Sequence, residues 1–240
     1  FRITLTVFSY DFAFTSIAVR LPVLWLAIVA IIMGSVLALA QKRLKKMLSY
    51  IIVAEVGYMV GGFWLGNRDG MSGAVLHVVN DALMTLCVFL AAVAIVHNLE
   101  DDRFSAFSGL FSKMPITMAV MVVGGLSFIG VPPTCGFFSK WYLLKGGVAA
   151  GQFGFVVALI FSSLVNIILF FRLFEVSYFK TRAPEEHHTS KNINSITRPE
   201  APFDLLVPLV MTAVLLLILG MFSGEIVTRV VLLAIPQGIG

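Results

Sequence analysis

Glu55, His77, Asp81 and Lys140 fall inside stretches that are otherwise almost purely apolar. Glu55 interrupts Ile-Val-Ala-Glu-Val-Gly-Tyr. His77, Asp81 and Thr85 recur at every fourth position, so on a helix they line one face, with Asn80 beside them. Lys140 lies one turn past Gly136, which follows Pro132 and Pro133. A carboxylate, an imidazole and an amine are costly inside a bilayer, and there they mark ion or proton pathways facing a bundle interior or water. The bland reading makes them static: Glu55 locked in a pair or kept protonated, the His77 stripe acting as hydrogen-bonding glue between helices. Asn166, in Ser-Ser-Leu-Val-Asn, fits glue better than path. Chemistry on a covalent substrate finds no support, because the chain has no nucleophile elbow, Walker motif or iron–sulfur cysteine pattern. The chemistry these residues can do is proton or cation transfer.

The elements that carry them are membrane spans. The chain is 59% hydrophobic and 12% charged over 240 residues, against roughly 25% charged in a soluble domain. Leu21–Ala40 contains no charge and predicts a transmembrane helix. Further spans are predicted at about Leu48–Leu65, Gly73–Val96, Phe153–Phe174 and Phe203–Phe222. Between them an apolar run enters from Met114 and meets Pro132–Pro133. Neither proline offers an N–H, and Val131 is pushed out of the α region. The helix is therefore expected to break and restart near Gly136. Irregular backbone at that depth survives only where protein or a hydrated cavity satisfies it. The fold class is all-α and polytopic, with about six transmembrane helices, one of them discontinuous.

The loops fix a relative orientation. Lys42, Arg43, Lys45, Lys46, Arg103, Lys113, Lys180, Arg182, Lys191 and Arg198 fall on one side, and Arg68 and Lys145 on the other. The basic side is expected in the cytoplasm. Cys87 and Cys135 sit in apolar runs and predict no disulfide. His187 and His188, with Glu185 and Glu186, read as loop solvation rather than a metal site. Arg172 and Glu175 are placed at a helix end, snorkelling. Gly57, Gly61, Gly62, Gly124 and Gly125 permit close helix contact. Phe1–Arg20 reads as the tail of a preceding helix and a loop, and Glu225–Gly240 as a short apolar segment along the surface.

Gln41-Lys-Arg-Leu-Lys-Lys-Met-Leu-Ser-Tyr50, followed by Glu55-Val-Gly-Tyr58, resembles a signature of the antiporter-like subunits. These are shared by respiratory complex I, membrane-bound hydrogenases and Mrp cation/proton antiporters. His77 to Thr85 matches the family's His-x-x-x-His-Ala-x-x-Lys helix in spacing. Gly109-Leu110, Met114-Pro115, Leu126-Ser127 and Gly130-Val-Pro-Pro-Thr-Cys-Gly-Phe-Phe-Ser-Lys140 match its broken-helix signature in order. The motifs lean toward the D-type Mrp subunit.

The resemblance implies the C-terminal half of such a subunit. Residues 1–20 would be the tail of a preceding helix, 21–175 a five-helix repeat, 176–202 a cytoplasmic loop, and 203–240 a following helix and tail. Lys140 falls on the family's lysine in the second broken helix and His77 on its first histidine. Asp81 replaces the second histidine, Thr85 the central lysine and Glu55 the usual glutamine. The implied function is that of a proton- or Na⁺/H⁺-translocating subunit, moving ions along Lys140, Asp81, His77, Glu55 and Thr85 around the break at Pro132, Pro133 and Gly136. Its partners would be other subunits of a large complex, the bilayer, H⁺ and Na⁺, with no nucleic acid, metal or cofactor of its own. Its location would be the prokaryotic inner membrane. Two other readings stand: a non-transporting scaffold subunit with static pairs, and a quinone-binding redox subunit, for which no pocket or ligand motif speaks. The resemblance leaves open whether the subunit serves a redox-driven translocase, of NADH-quinone oxidoreductase or hydrogenase type.

Overall fold

The computed structural model describes residues 19–179 and 200–231, together with Thr4 and Phe14. The expectations for the first segment, for the four basic residues Lys180, Arg182, Lys191 and Arg198, and for the His187–His188 pair lie outside the described residues, as does the end of the C-terminal tail. The elements are α1 (Arg20–Leu39), α2 (Leu44–Trp64), α3 (Arg68–Leu99), α4 (Pro115–Ile129), α5 (Cys135–Ala149), α6 (Phe153–Tyr178) and α7 (Phe203–Met221), with short helical turns at Phe104–Ala106, Leu110–Lys113 and Ser223–Ile226. No strand occurs among the described residues. Five helices are long and apolar enough to cross a membrane, and α4 is a shorter apolar helix. With α5 it forms the discontinuous element.

Several helices overrun the apolar runs that announce them. α2 begins at Leu44 because Lys45 and Lys46 are exposed on its first turn while Leu44 and Met47 are buried. α3 has 32 residues, about 48 Å at 1.5 Å each, against a hydrocarbon core of about 30 Å. Its start is fixed by Asn67, whose side chain accepts the Gly70 N–H at 2.8 Å, an N-cap. α6 continues to Tyr178, so Glu175 lies in its last turn, at a helix end as expected, while Arg172 lies nearly two turns inside. The Arg172 guanidinium stands 5.5 Å from the centre of the Phe104 ring, a cation–π contact that holds it at the Phe104–Ala106 turn.

Loop contacts sort the ends of the helices. Arg43 and Arg103 form an antiparallel bridge, Leu44 N–H donates to Asp102 O at 2.8 Å, and Arg43 pairs with Asp102 at 2.9 Å. The basic loop after α1 and the loop after α3 therefore meet at one end of the bundle. At the other end Asn67 donates to Gly146 O at 2.7 Å and Lys145 pairs with Asp69 at 3.2 Å. Glu200 places the entry to α7 at the first end: its carboxylate accepts from Ile116 N–H (3.1 Å), Thr117 N–H (3.3 Å) and Thr117 Oγ1 (2.6 Å) at the start of α4.

Two apolar clusters fill the bundle. One gathers α3, α4, α6 and α7 around Met84, Met121, Phe128, Phe170 and Leu216. The other gathers α1, α2, α5 and α6 around Ile31, Tyr58, Leu143 and Phe155. The smallest residues set the approach of α2: a Cβ on Gly57 would lie 2.7 Å from the Ile31 side chain of α1.

Candidate functional site

Proline arithmetic builds the site. In a continuous helix the Phe128 and Ile129 carbonyls would accept the N–H groups of residues 132 and 133. Both are proline, so neither bond can form. α4 instead ends at Ile129, Gly130 takes φ +89°, and its N–H closes back on Leu126 O at 2.9 Å. The chain then runs through Val131–Thr134 and restarts at Cys135. The freed Phe128 carbonyl accepts Lys140 Nζ at 2.5 Å and Asn166 Nδ2 at 3.1 Å. A second cross-link steadies the restart: Asn80 Nδ2 donates to Cys135 O at 2.8 Å.

Lys140 is only 5% exposed. Its ammonium lies 3.7 Å from Glu55 Oε1 and 5.1 Å from the centre of the Tyr58 ring. Tyr58 is one turn from Glu55 on the same face of α2. Glu55 reaches a second partner with its other oxygen: Oε2 is 2.8 Å from His77 Nε2. His77 Nδ1 is in turn 2.9 Å from Ser139 Oγ, which lies 3.2 Å from Gly136 O. Glu55, His77 and Ser139 are fully buried. One carboxylate thus joins α2, α3 and α5.

The hydrogen inventory of this chain is restrictive. A carboxylate accepts only, and a neutral imidazole carries a single N–H. If Ser139 donates to Gly136 O, it accepts from His77 Nδ1–H. The Nε2–Glu55 contact then needs a proton on Glu55 or a second one on His77. If Ser139 donates to Nδ1, His77 Nε2–H donates to ionised Glu55. The Glu55–His77 contact therefore stores a proton whose position is coupled to the Ser139 hydroxyl.

Asp81 is buried beside the group, within electrostatic range of Glu55, His77 and Lys140. Its close partner is Thr85 Oγ1, donating at 3.3 Å. Thr85 itself is half-buried and touches none of the others. The structure thus brings Glu55, His77 and Lys140 together, adds Asp81 at the next turn of α3, and leaves Thr85 at the margin. Of the expected helix-break residues, Pro132 and Pro133 lie in the connection, while Gly136 is the second residue of α5. Asn166, expected as helix glue, does bridge α6 to α4, and it does so on the carbonyl that holds Lys140. Sequence reasoning left out Ser139, Tyr58 and the Phe128 carbonyl. The first adjoins Lys140, the second stands three residues past Glu55, and the third emerges from counting back four from Pro132. Among the described residues no group of His, Cys, Asp and Glu could hold a metal ion, and Cys87 and Cys135 are both free and buried.

Residues 2–166 match the family described as NADH:quinone oxidoreductase/Mrp antiporter, TM. Among curated proteins, subunit N of NADH-quinone oxidoreductase from Desulforudis audaxviator is 39% identical over 215 residues, covering 88% of this chain and 43% of the relative. The chain thus spans less than half of that relative's length. By name that relative is a quinone oxidoreductase subunit, not the D-type Mrp subunit toward which the motifs pointed. Among solved structures, a chain of respiratory complex I from Thermus thermophilus with bound aureothin superposes with a TM-score of 0.66 at 26% identity, covering 86% of this chain and 44% of that one. A chain of the archaeal membrane-bound sulfane sulfur reductase superposes at 0.77 and 24% identity, covering 90% and 41%; it shows the fold alone. Both solved relatives come from respiratory membrane complexes. The family and the apolar helices make this chain an integral membrane protein.

Proposed function

We propose, for a chain that belongs to the NADH:quinone oxidoreductase/Mrp antiporter transmembrane family, that it moves protons through a multisubunit membrane complex by way of Lys140, Glu55 and His77. The observation that carries this reading is that one fully buried carboxylate touches both a buried lysine and a buried histidine, each from a different helix. Burying such groups costs several kcal/mol per ion, which well-packed apolar residues would avoid. A pathway gives them a reason to be there.

In this mechanism the Lys140 ammonium passes a proton to Glu55 Oε1. At 3.7 Å the two are beyond direct hydrogen-bond reach, so the transfer needs a closer approach or a bridging water. Rotation of the protonated Glu55 carboxyl then turns its O–H toward His77 Nε2. With His77 in the Nδ1–H form, Nε2 takes this proton while Nδ1 gives its own to the Ser139 hydroxyl, whose hydrogen passes to a water beyond it. Asp81, bonded by the Thr85 hydroxyl, supplies a second negative charge on the α3 side within electrostatic range of His77 and Lys140. Phe128 O, fixed by Asn166, sets the resting place to which the ammonium returns. Whole-complex properties belong to the same proposal: residues 21–175 as one repeat of a longer subunit, the basic loops in the cytoplasm, an inner-membrane location, and neighbouring subunits completing the path. Discontinuous-helix transporters build their site between two repeats, which is why an assembled complex is required. H⁺ is the ion that this set of titratable residues favours along the relay.

The test is coupled proton flux in vesicles carrying the intact complex. Arginine keeps the charge of Lys140 but stays protonated. Flux is expected to fail nearly as badly in Lys140→Arg as in Lys140→Met, in variants shown to assemble. Normal flux with arginine would leave Lys140 a fixed charge and end its role as a carrier.

A further inference from the structure

At the end of the bundle away from the basic loops, α3 and α5 meet glycine to glycine. A Cβ on Gly146 of α5 would run into the Gly70 backbone of α3, so the two backbones touch with no side chain between them. Asn67 locks the contact, accepting the Gly70 N–H at 2.8 Å and donating to Gly146 O at 2.7 Å. The residue before each glycine is charged. Asp69 and Lys145 are thereby held side by side, with Oδ1 3.2 Å from Nζ, yet the lysine side chain stays 59% exposed. Their bond uses one of the three ammonium donors and one carboxylate lone pair, so each group can take a further partner. Beside the pair opens a cavity of about 380 Å³, whose remaining wall is Trp141, Leu144, Val148 and Ala149 of α5. The exposed Trp141 is steadied by stacking on Phe137, ring centres 6.2 Å apart. Lys145 lies about 15 Å along the axis past the restart of α5 at Cys135, at 1.5 Å per residue. With the break at mid-bilayer, that distance reaches the edge of a hydrocarbon core of about 30 Å.

We propose that this cavity binds one phospholipid with a zwitterionic headgroup of the phosphoethanolamine class. The two headgroup charges match the pair in sign: phosphate oxygens accept from Lys145 Nζ, and the lipid ammonium donates to the Asp69 carboxylate. A zwitterion extends the ion pair and leaves the site neutral, whereas an anionic headgroup would set a second negative charge against Asp69. A choline headgroup has no N–H for the carboxylate to accept. The apolar wall takes the glycerol and the first methylenes, which run from Lys145 over Leu144 and Trp141 toward the bilayer centre. An indole is at home at that level of a membrane. The volume falls in the range of small-molecule sites, about 300–1,000 Å³, and a helix about 10 Å across has no room in it. Because the glycine contact fixes the pair beforehand, binding has little side-chain freedom left to remove. The inference stands apart from the translocation reading, since it uses neither Lys140 nor the groups around it.

The experiment puts a photoreactive benzophenone side chain in place of Val148, on the cavity wall. The intact complex is reconstituted into vesicles of equal parts phosphatidylethanolamine, phosphatidylglycerol and phosphatidylcholine, and adducts are identified by mass spectrometry. A second probe in place of Val29, on the exposed apolar face of α1, reads the bulk lipid. Phosphatidylethanolamine is expected among the Val148 adducts at about three- to fivefold its share at Val29, the range that exposed charge contacts supply. Asp69→Asn is expected to remove that preference and turn it toward phosphatidylglycerol, and Lys145→Gln to lower the yield of lipid adduct. Should either variant fail to assemble, the comparison of Val148 with Val29 in the otherwise unchanged chain decides the matter. Equal lipid proportions at the two positions, cross-linking of the Val148 probe to a neighbouring subunit, or a phosphatidylethanolamine preference untouched by Asp69→Asn would overturn the site.

Discussion

Removing one member of the Lys140–Glu55 pair is the sharpest perturbation the geometry offers. At 3.7 Å and an effective dielectric of about 20, two unit charges attract by about 4.5 kcal/mol. The contact is longer than a hydrogen bond, and neighbouring His77 and Asp81 take up part of the field when one partner goes. A coupling of about 2–3 kcal/mol is therefore expected to survive in a double-mutant cycle. Glu55→Gln leaves a buried ammonium without its counter-charge, and Lys140→Met leaves a buried carboxylate. Each alone is expected to cost about 3–5 kcal/mol, and the two together much less than the sum. The assay is the unfolding free energy of the reconstituted complex, titrated with dodecyl sulfate for wild type, both singles and the double. Additivity to within about 0.5 kcal/mol would refute the claim that these groups act as one electrostatic unit.

Two further substitutions separate the margin of the site from its frame. Asp81 lies within electrostatic range of the row and Thr85 only bonds to Asp81, so Asp81→Asn is expected to impair coupled flux more than Thr85→Ala, and equal, negligible effects of both would favour a scaffold. Gly220→Ala probes the clamp of α7 on the helix break: the new Cβ would lie 1.9 Å from Pro133 O and 2.9 Å from Cys135 N, so α7 must shift, at about 1–3 kcal/mol. Thermal unfolding of the complex reads this directly, and a wild-type midpoint would show that α7 is free to move.

Much of the fold was legible because the bilayer leaves few choices. An uncharged run such as Leu21–Ala40 has to be a helix, and paired prolines in an apolar run have to break one. Helix ends were less legible. α2 and α3 extend into water, where capping by Asn67 and exposure of Lys45 decide the boundary and hydrophobicity does not. At the site, four-residue spacing correctly aligned His77 with Asp81 on α3. It was silent on which carboxylate meets Lys140, since that depends on how α2 packs on α5. The answer, Glu55, comes from contacts between helices, such as Tyr58 against Lys140. Asn166 was half legible: an amide in an apolar helix signals a hydrogen bond, but its target is a carbonyl that only the break exposes.

The central claim is that Glu55 takes and releases a proton between Lys140 and His77. Infrared difference spectroscopy of the intact complex, energised and resting, observes that event directly through the carbonyl stretch of a protonated carboxylic acid. A difference band is expected in wild type, displaced in Glu55→Asp and missing in Glu55→Gln, with Asp81→Asn leaving it in place. A band that persists unchanged in Glu55→Gln, or no carboxyl band in wild type during turnover, would contradict the account.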